Sequence, residues 1–184
     1  MERKVARADL AKTISVRKAP DIDFLLRALQ ILPQADQRWV TENVFYFSTY
    51  GKTYGSRMSR GLCQAKEIIY LSEKLFPIQF DLTSWNTRFF VLIVLHETAH
   101  AKRQHKCRVY DGISDTEYDR QEREATSDAI GWFNRYASEN GIEPLNVEEE
   151  AESKIKLDRL VDDFEVIWGT HLKTCLEKMK GEVQ

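Results

Sequence analysis

Residues 91–100 read Val-Leu-Ile-Val-Leu-His-Glu-Thr-Ala-His, an apolar run followed directly by two histidines and a glutamate. The run lies within Trp85 to about Lys106, a stretch whose apolar content and polar start predict a buried helix. Residues four positions apart share a helical face, so His96 and His100 should project to the same side. Such groups are costly on a buried helix unless polar partners or a metal ion compensate them.

The spacing His96-Glu97-x-x-His100 is typical of a zinc site in which two imidazoles bind the metal and the glutamate acts as general base. Catalytic zinc sites usually have three protein ligands, so one more is expected elsewhere in the chain. We predict Glu124, because a helix predicted from Tyr118 to Tyr136 follows a loop long enough to let it fold back across the first helix.

Two other residues compete for the same role. Glu122 is the nearer rival, but Glu124 is preferred because it shares a helical face with Asp128. Asp128 would then accept a hydrogen bond from the ring of a ligand histidine. His105 would lie well around a continued helix from the two ligand histidines, and we interpret it as a solvated residue near the helix end.

These residues resemble the pattern of the gluzincin peptidases, in which HExxH is followed downstream by a glutamate with an aspartate or similar residue four positions later. More narrowly, residues 119–129 are similar to the Glu-x-Glu-Ala-x-x-x-Ala segment of the ImmA/IrrE-like peptidases, in which the second glutamate binds zinc. The resemblance implies one zinc ion per chain on His96, His100 and Glu124. It also implies hydrolysis of peptide bonds in an intracellular protein by metal-activated water, with Glu97 as the base.

A second resemblance concerns the strands before the predicted active helix. Residues 61–63 (Gly-Leu-Cys) and 68–72 (Ile-Ile-Tyr-Leu-Ser) are similar to a pattern of the SprT-like proteases. Those proteins use a third histidine, and this chain has no His-Gly pair at the matching distance, so only the strand arrangement is carried over. Two alternatives stay open: a protease acting on DNA-bound proteins, and a non-catalytic zinc-containing module that binds a partner protein.

The remaining patterns predict an α+β fold. Short strands near Val44–Thr49, Ser56–Gln64 and Glu67–Leu71 suggest a small antiparallel sheet packed on the two metal-bearing helices, the minimal zincin fold. An apolar stripe from Leu157 to Met179 predicts a long C-terminal helix. The expected organisation is a basic N-terminal arm (1–20), a metallopeptidase domain (21–137) and a helical extension packed on the same core (138–184).

Two further expectations concern the substrate. If Glu67–Leu71 lies at the edge of the sheet, it could bind an extended peptide by strand addition, whereas its continuous apolar character equally fits a buried strand. A residue that stabilises negative charge on the substrate carbonyl is also expected, and the sequence does not select among its candidates. These are Tyr110, Tyr118, Arg120 and His171.

Composition limits which classes of partner and which cellular compartment are expected for the protein. The formal net charge is −2, so the chain as a whole has no positive field to attract nucleic acid, and the basic arm is the one feature that could do so. The longest apolar run, Phe89–Leu95, is far too short to cross a bilayer. The three cysteines form no CxxC pair, which favours a reducing compartment, and we expect a cytoplasmic protein. They are Cys63, Cys107 and Cys175.

Overall fold

The computed structural model describes residues 5–16, 18–49, 55–58, 66–106 and 111–145. The chain divides into two compact units, Met1–Pro144 and Leu145–Gln184, and the elements described here belong to the first. In chain order they are α1 (Arg7–Ala11), β1 (Ile14–Ser15), α2 (Ala19–Leu29), α3 (Gln34–Asn43), β2 (Val44–Thr49), β3 (Gly55–Met58), β4 (Glu67–Ser72), a 3-10 turn (Glu73–Leu75), α4 (Trp85–Arg103) and α5 (Asp115–Asn140).

The strands form one sheet in the order β1-β2-β4-β3. Strand β1 is parallel to β2, and β2 is parallel to β4, whereas β3 runs antiparallel to β4. The fold is therefore mixed helix and strand as predicted, but the prediction of an antiparallel sheet is wrong. Three strands that follow one another in sequence suggested a meander, whereas β4 in fact lies between β2 and β3.

Strand β4 occupies the interior of the sheet. Its first residue is opposite Val44 of β2, and Leu71 is opposite Gly55 of β3, so both of its edges are paired. Ile69 and Leu71 are fully buried. This arrangement matches the continuous apolar run of a buried strand. The hypothesis that Glu67–Leu71 is a free edge for strand addition is therefore wrong.

The described part of the predicted basic arm, residues 5–16 and 18–20, contains helix α1, strand β1 and the start of α2. Leu10 is only 1% exposed, and the carbonyl of Thr13 accepts a hydrogen bond of 2.7 Å from the backbone N–H of Tyr46. Two of its basic side chains also pair with carboxylates, Arg7 with Asp23 and Lys12 with Asp9. A strand as short as β1 leaves no periodic signal in the sequence, which is why the arm was expected to be solvated.

The helices that flank the predicted domain limits extend across them. Helix α2 begins at Ala19, ahead of the expected start at residue 21, and α5 continues to Asn140, beyond the expected end at residue 137. Helix α3 was not predicted. The apolar stripe predicted for the C-terminal helix lies outside the described residues, as do Tyr110, His171 and the three cysteines.

Helix α4 carries the two histidines through the core. The hydroxyl of Ser84 caps it by accepting from the backbone N–H of Thr87. Neither α4 nor another helix in the described part of the chain combines the length and the apolar character that a membrane span requires. Its apolar residues fix which side faces the protein interior, and the fully buried ones are Phe90, Val91, Val94, Leu95, Ala99 and Ala101.

The end of α4 turns sharply. Gln104 adopts a left-handed conformation with φ of 55°. The backbone N–H of Gln104 donates to the carbonyl of Ala101 and that of His105 to the carbonyl of His100, each at 3.1 Å. These two bonds define a Schellman motif, which usually has glycine at the left-handed position. The turn brings residue 105 back beside the last turns of the helix.

Helix α5 lies against α4 through small residues. The hydroxyl of Ser114 caps its start by accepting from the N–H of Glu117, and Gly141 ends it in a left-handed conformation with φ of 66°. Alanine side chains allow two helices to approach closely, and they alternate here with one large aromatic ring. The buried residues of this face are Ala125, Ala129, Phe133 and Ala137.

Replacing Gln104 by glycine should stabilise the protein. A non-glycine residue in the left-handed region costs about 1 kcal/mol or more, and glycine avoids that cost. We expect the free energy of unfolding, measured by urea denaturation, to rise by up to about 1 kcal/mol. The matched control is Gly141→Ala, which should lower it by a similar amount. A destabilised Gln104→Gly variant would contradict the turn described for the end of α4.

Candidate metal centre

Three side chains bring one ligand atom each to a common point. Nε2 of His100 lies 2.9 Å from Nε2 of His96. Oε2 of Glu122 lies 3.3 Å from His96 Nε2, and Oε1 lies 3.2 Å from His100 Nε2. All three residues are half-buried. Within the described residues, this group can hold a metal ion.

The spacing of these atoms fits a small tetrahedral ion. Zinc bonds of about 2.0–2.1 Å in a tetrahedron place neighbouring ligand atoms about 3.3 Å apart. The two nitrogens are 2.9 Å apart, and each lies 3.2 or 3.3 Å from a different oxygen of Glu122, which is close to that value. Two imidazoles and one carboxylate also form a donor set that zinc accepts, with a fourth position left for water or substrate.

Glu122 is held as a carboxylate. Burial raises its pKa, but the hydrogen bonds and positive charge of His100 and His96 outweigh that effect, so the pKa lies well below its ordinary value. A carboxylate that stays ionised in a half-buried position is ready to neutralise a cation. The same two histidines that would share the metal with it therefore also explain its charge state.

Glu124 points away from the two ligand histidines. Its Oε2 lies 3.2 Å from both Arg103 Nη1 and His105 Nε2, and Arg120 donates to its other oxygen. Burial raises the pKa of Glu124, but Arg120 and His105 bring it below its usual range. The structure thus places Glu122, and not the expected Glu124, beside His96 and His100.

Asp128, expected to accept from a ligand histidine, instead binds Arg103. The guanidinium donates from Nε to Oδ2 at 2.6 Å and from Nη2 to Oδ1 at 2.9 Å, a bidentate pair across the two helices. Residues 124 and 128 do share a face, as predicted. Two residues along a helix correspond to about 200° of rotation, so the face that carries Glu122 is the opposite one.

The rings of the two ligand histidines each have a partner at Nδ1. Thr126 Oγ1 lies 3.3 Å from His96 Nδ1, and His105 Nδ1 lies 2.8 Å from His100 Nδ1. Ligand histidines usually engage their second nitrogen in this way, which orients the ring. The sequence interpretation missed Thr126, although it is one turn after Glu122 and therefore on the same face.

His105 is not the solvated residue that was expected, since it is only 7% exposed. Burial lowers its pKa, and the neighbouring His100 lowers it further, while the bond to Glu124 opposes both. The net effect is a pKa below the ordinary value, which favours the neutral imidazole. His105 is buried because the left-handed turn at Gln104 directs the chain back over α4.

Glu97, the predicted general base, lies on α4 between the ligand histidines and is half-buried. The negative charge of Glu97 affects the pKa of Tyr46, which lies on strand β2 of the sheet. Burial raises the pKa of that phenol, its hydrogen bond with Thr98 lowers it, and the negative charge of Glu97 raises it again. The hydroxyls of Tyr46 and Thr98 lie 2.8 Å apart, joining β2 to the helix beside Glu97.

Two candidates for stabilising the substrate carbonyl can be placed. Arg120 is already engaged, because its guanidinium binds Glu117 and Glu124; the bond to Glu117 is the main reason that its pKa is raised. Tyr118 is half-buried at the start of α5. The arrangement does not single out either residue for this role.

The matched pair Glu122→Gln and Glu124→Gln tests the choice of ligand. An amide is a poor zinc ligand, so Glu122→Gln should bind far less than one zinc per chain under conditions that saturate the wild type. Glu124→Gln keeps an oxygen acceptor for His105 and should bind about one equivalent. Metal content by elemental analysis after gel filtration measures both, and the reverse result would restore Glu124 as the ligand.

Comparison with known proteins does not assign a function to this centre. No family model, curated protein or solved structure matches the chain. The resemblances to gluzincin, ImmA/IrrE-like and SprT-like proteins therefore stay predictions from the sequence. The chemistry of the three ligand groups and of Glu97 carries the functional conclusion.

Proposed function

We propose that this chain is a zinc-dependent metallopeptidase in which His96, His100 and Glu122 hold the metal and Glu97 is the general base. The observation that supports it most is the convergence of Nε2 of His96, Nε2 of His100 and the carboxylate of Glu122, whose closest contacts are 2.9, 3.2 and 3.3 Å. The general base predicted from sequence follows the first ligand directly. One zinc ion per chain is proposed, acting on a protein or peptide substrate.

A zinc ion bound there would acidify water and polarise a substrate carbonyl. Glu97 takes the proton of the attacking water on its carboxylate and passes it to the nitrogen of the leaving amine. Glu122 offsets the charge of the cation, while Thr126 and His105 keep the two imidazoles oriented. The surrounding apolar residues of α4 limit the access of bulk water from the core side.

The donor set favours catalysis over a purely structural role. Structural zinc sites are usually closed by four cysteine or histidine ligands, whereas this group supplies two imidazoles and a carboxylate. A structural site also has no need for a general base beside it. The alternative of a protease acting on DNA-bound proteins drew on the basic arm, and in the described part of that arm Arg7 and Lys12 are paired to carboxylates.

The variant Glu97→Gln tests the proposed chemistry. It should keep about one zinc per chain and lose peptide hydrolysis by roughly 100- to 10,000-fold, because the amide cannot take a proton from water. Cleavage is measured with a library of quenched fluorescent peptides on the zinc-loaded protein. The control is Glu139→Gln, the same exchange at an exposed position near the end of α5, which should cleave as the wild type does.

Two results would contradict the proposal. One is hydrolysis by Glu97→Gln at the wild-type rate, which would remove the general base from the reaction. The other is a zinc-loaded wild type that cleaves no peptide of the library, which would favour the non-catalytic module that binds a partner.

A further inference from the structure

A line of three polar side chains leads away from the metal centre on the side opposite Glu122. His100 Nδ1 lies 2.8 Å from His105 Nδ1. The other ring nitrogen of His105, Nε2, lies 3.2 Å from Glu124 Oε2. Both nitrogens of His105 are thus in contact with polar partners, one on each side of the ring.

Metal binding at His100 fixes the proton positions along this line. If Nε2 of His100 binds zinc through its lone pair, the ring proton must be on Nδ1. That proton can be donated only if Nδ1 of His105 is an acceptor. A neutral imidazole has one donor and one acceptor, so the proton of His105 is then on Nε2 and is donated to the Glu124 carboxylate. Each nitrogen has a single role that satisfies its neighbour.

We propose that His105 is a positioning residue that fixes the ring orientation and the tautomer of His100 for zinc binding, and that Glu124 fixes the tautomer of His105. This inference rests on the proposed metal centre. Glu124 and His105 were each considered as a zinc ligand from the sequence. In the structure His105 contacts the ring of His100, and Glu124 contacts His105.

The backbone and the ion pairs around the line hold it in place. The left-handed turn at Gln104 returns the chain so that His105 is 7% exposed against α4. Glu124 is fixed from two helices, by Arg103 of α4 at 3.2 Å and by Arg120 of α5. A carboxylate restrained in this way presents its oxygen to His105 in one direction.

The two ligand histidines are not supported equally. His96 has the hydroxyl of Thr126 at 3.3 Å, whereas His100 has an imidazole at 2.8 Å that is itself bound to a carboxylate. Hydrogen bonds that involve a charged group are the stronger ones. Removing the support of His100 should therefore weaken zinc binding, and outer partners of this kind usually contribute about 10- to 100-fold in affinity.

Two substitutions of His105 separate its two contacts. The side-chain amide of asparagine can place its oxygen near the position of Nδ1, so His105→Asn keeps an acceptor for His100. Glutamine reaches further and places its amide near the position of Nε2, so His105→Gln keeps only the contact with Glu124. We expect His105→Gln to bind zinc about 10- to 100-fold more weakly and His105→Asn to recover most of the affinity.

The affinity is measured by competition with a chromophoric chelator, together with the visible absorption spectrum of each protein loaded with Co²⁺ in place of zinc. The bands of His105→Gln should differ from those of the wild type, since a misoriented ligand ring changes the geometry at the metal. Melting of the metal-free proteins shows whether a variant is folded. A further variant, Glu124→Ala, should also weaken zinc binding, whereas Glu139→Ala, the same exchange at an exposed position near the end of α5, should not.

Wild-type affinity and spectrum in a folded His105→Gln would overturn the proposal while leaving the metal centre intact. A complete loss of metal in both His105 variants, equal to that of Glu122→Gln, would also overturn it, because His105 would then be a ligand. A wild-type chain that binds no zinc would remove the metal centre and this inference with it.

Discussion

The carboxylate of Glu122 between the rings of His96 and His100 is the interaction on which the functional part of the fold depends. It joins the two long helices at the point where both carry polar groups into the protein. The small residues Ala125 and Ala129 of α5 are completely or almost completely buried. Helix α5 can therefore approach α4 closely enough for the carboxylate of Glu122 to reach both rings. The metal centre is thus a consequence of helix packing as much as of the motif on α4.

The rotation of α5 about its axis decides which glutamate reaches the histidines. Glu122 and Thr126 lie on the face of α5 that contacts the imidazoles. Glu124 and Asp128 lie about 200° further around the helix, where the side chain of Arg103 at the end of α4 reaches both of them. Glu124 and Asp128, which were expected to bind and orient the metal, therefore contact Arg103 instead of the two histidines. In the proposed centre, Glu124 acts through His105.

The parts of the structure that depend on local spacing could be predicted from the sequence. The HExxH helix follows from its apolar run and polar start, and strand β2 follows from its composition. The parallel order of the sheet depends on pairing between distant segments, one of them only two residues long, so local patterns could not reveal it. The third ligand was equally ambiguous, because Glu122 with Thr126 and Glu124 with Asp128 have the same spacing. The burial of His105 was not predicted, because a left-handed turn at glutamine, unlike one at glycine, has no signature in the sequence.

X-ray absorption at the zinc edge of the loaded protein would identify the ligand types around the metal. We expect two imidazole nitrogens with one carboxylate oxygen at about 2.0–2.2 Å, completed by a light oxygen ligand such as water. A third imidazole would place His105 or His171 on the metal, and a sulfur neighbour at about 2.3 Å would place a cysteine there. Either result would contradict a centre built from His96, His100 and Glu122.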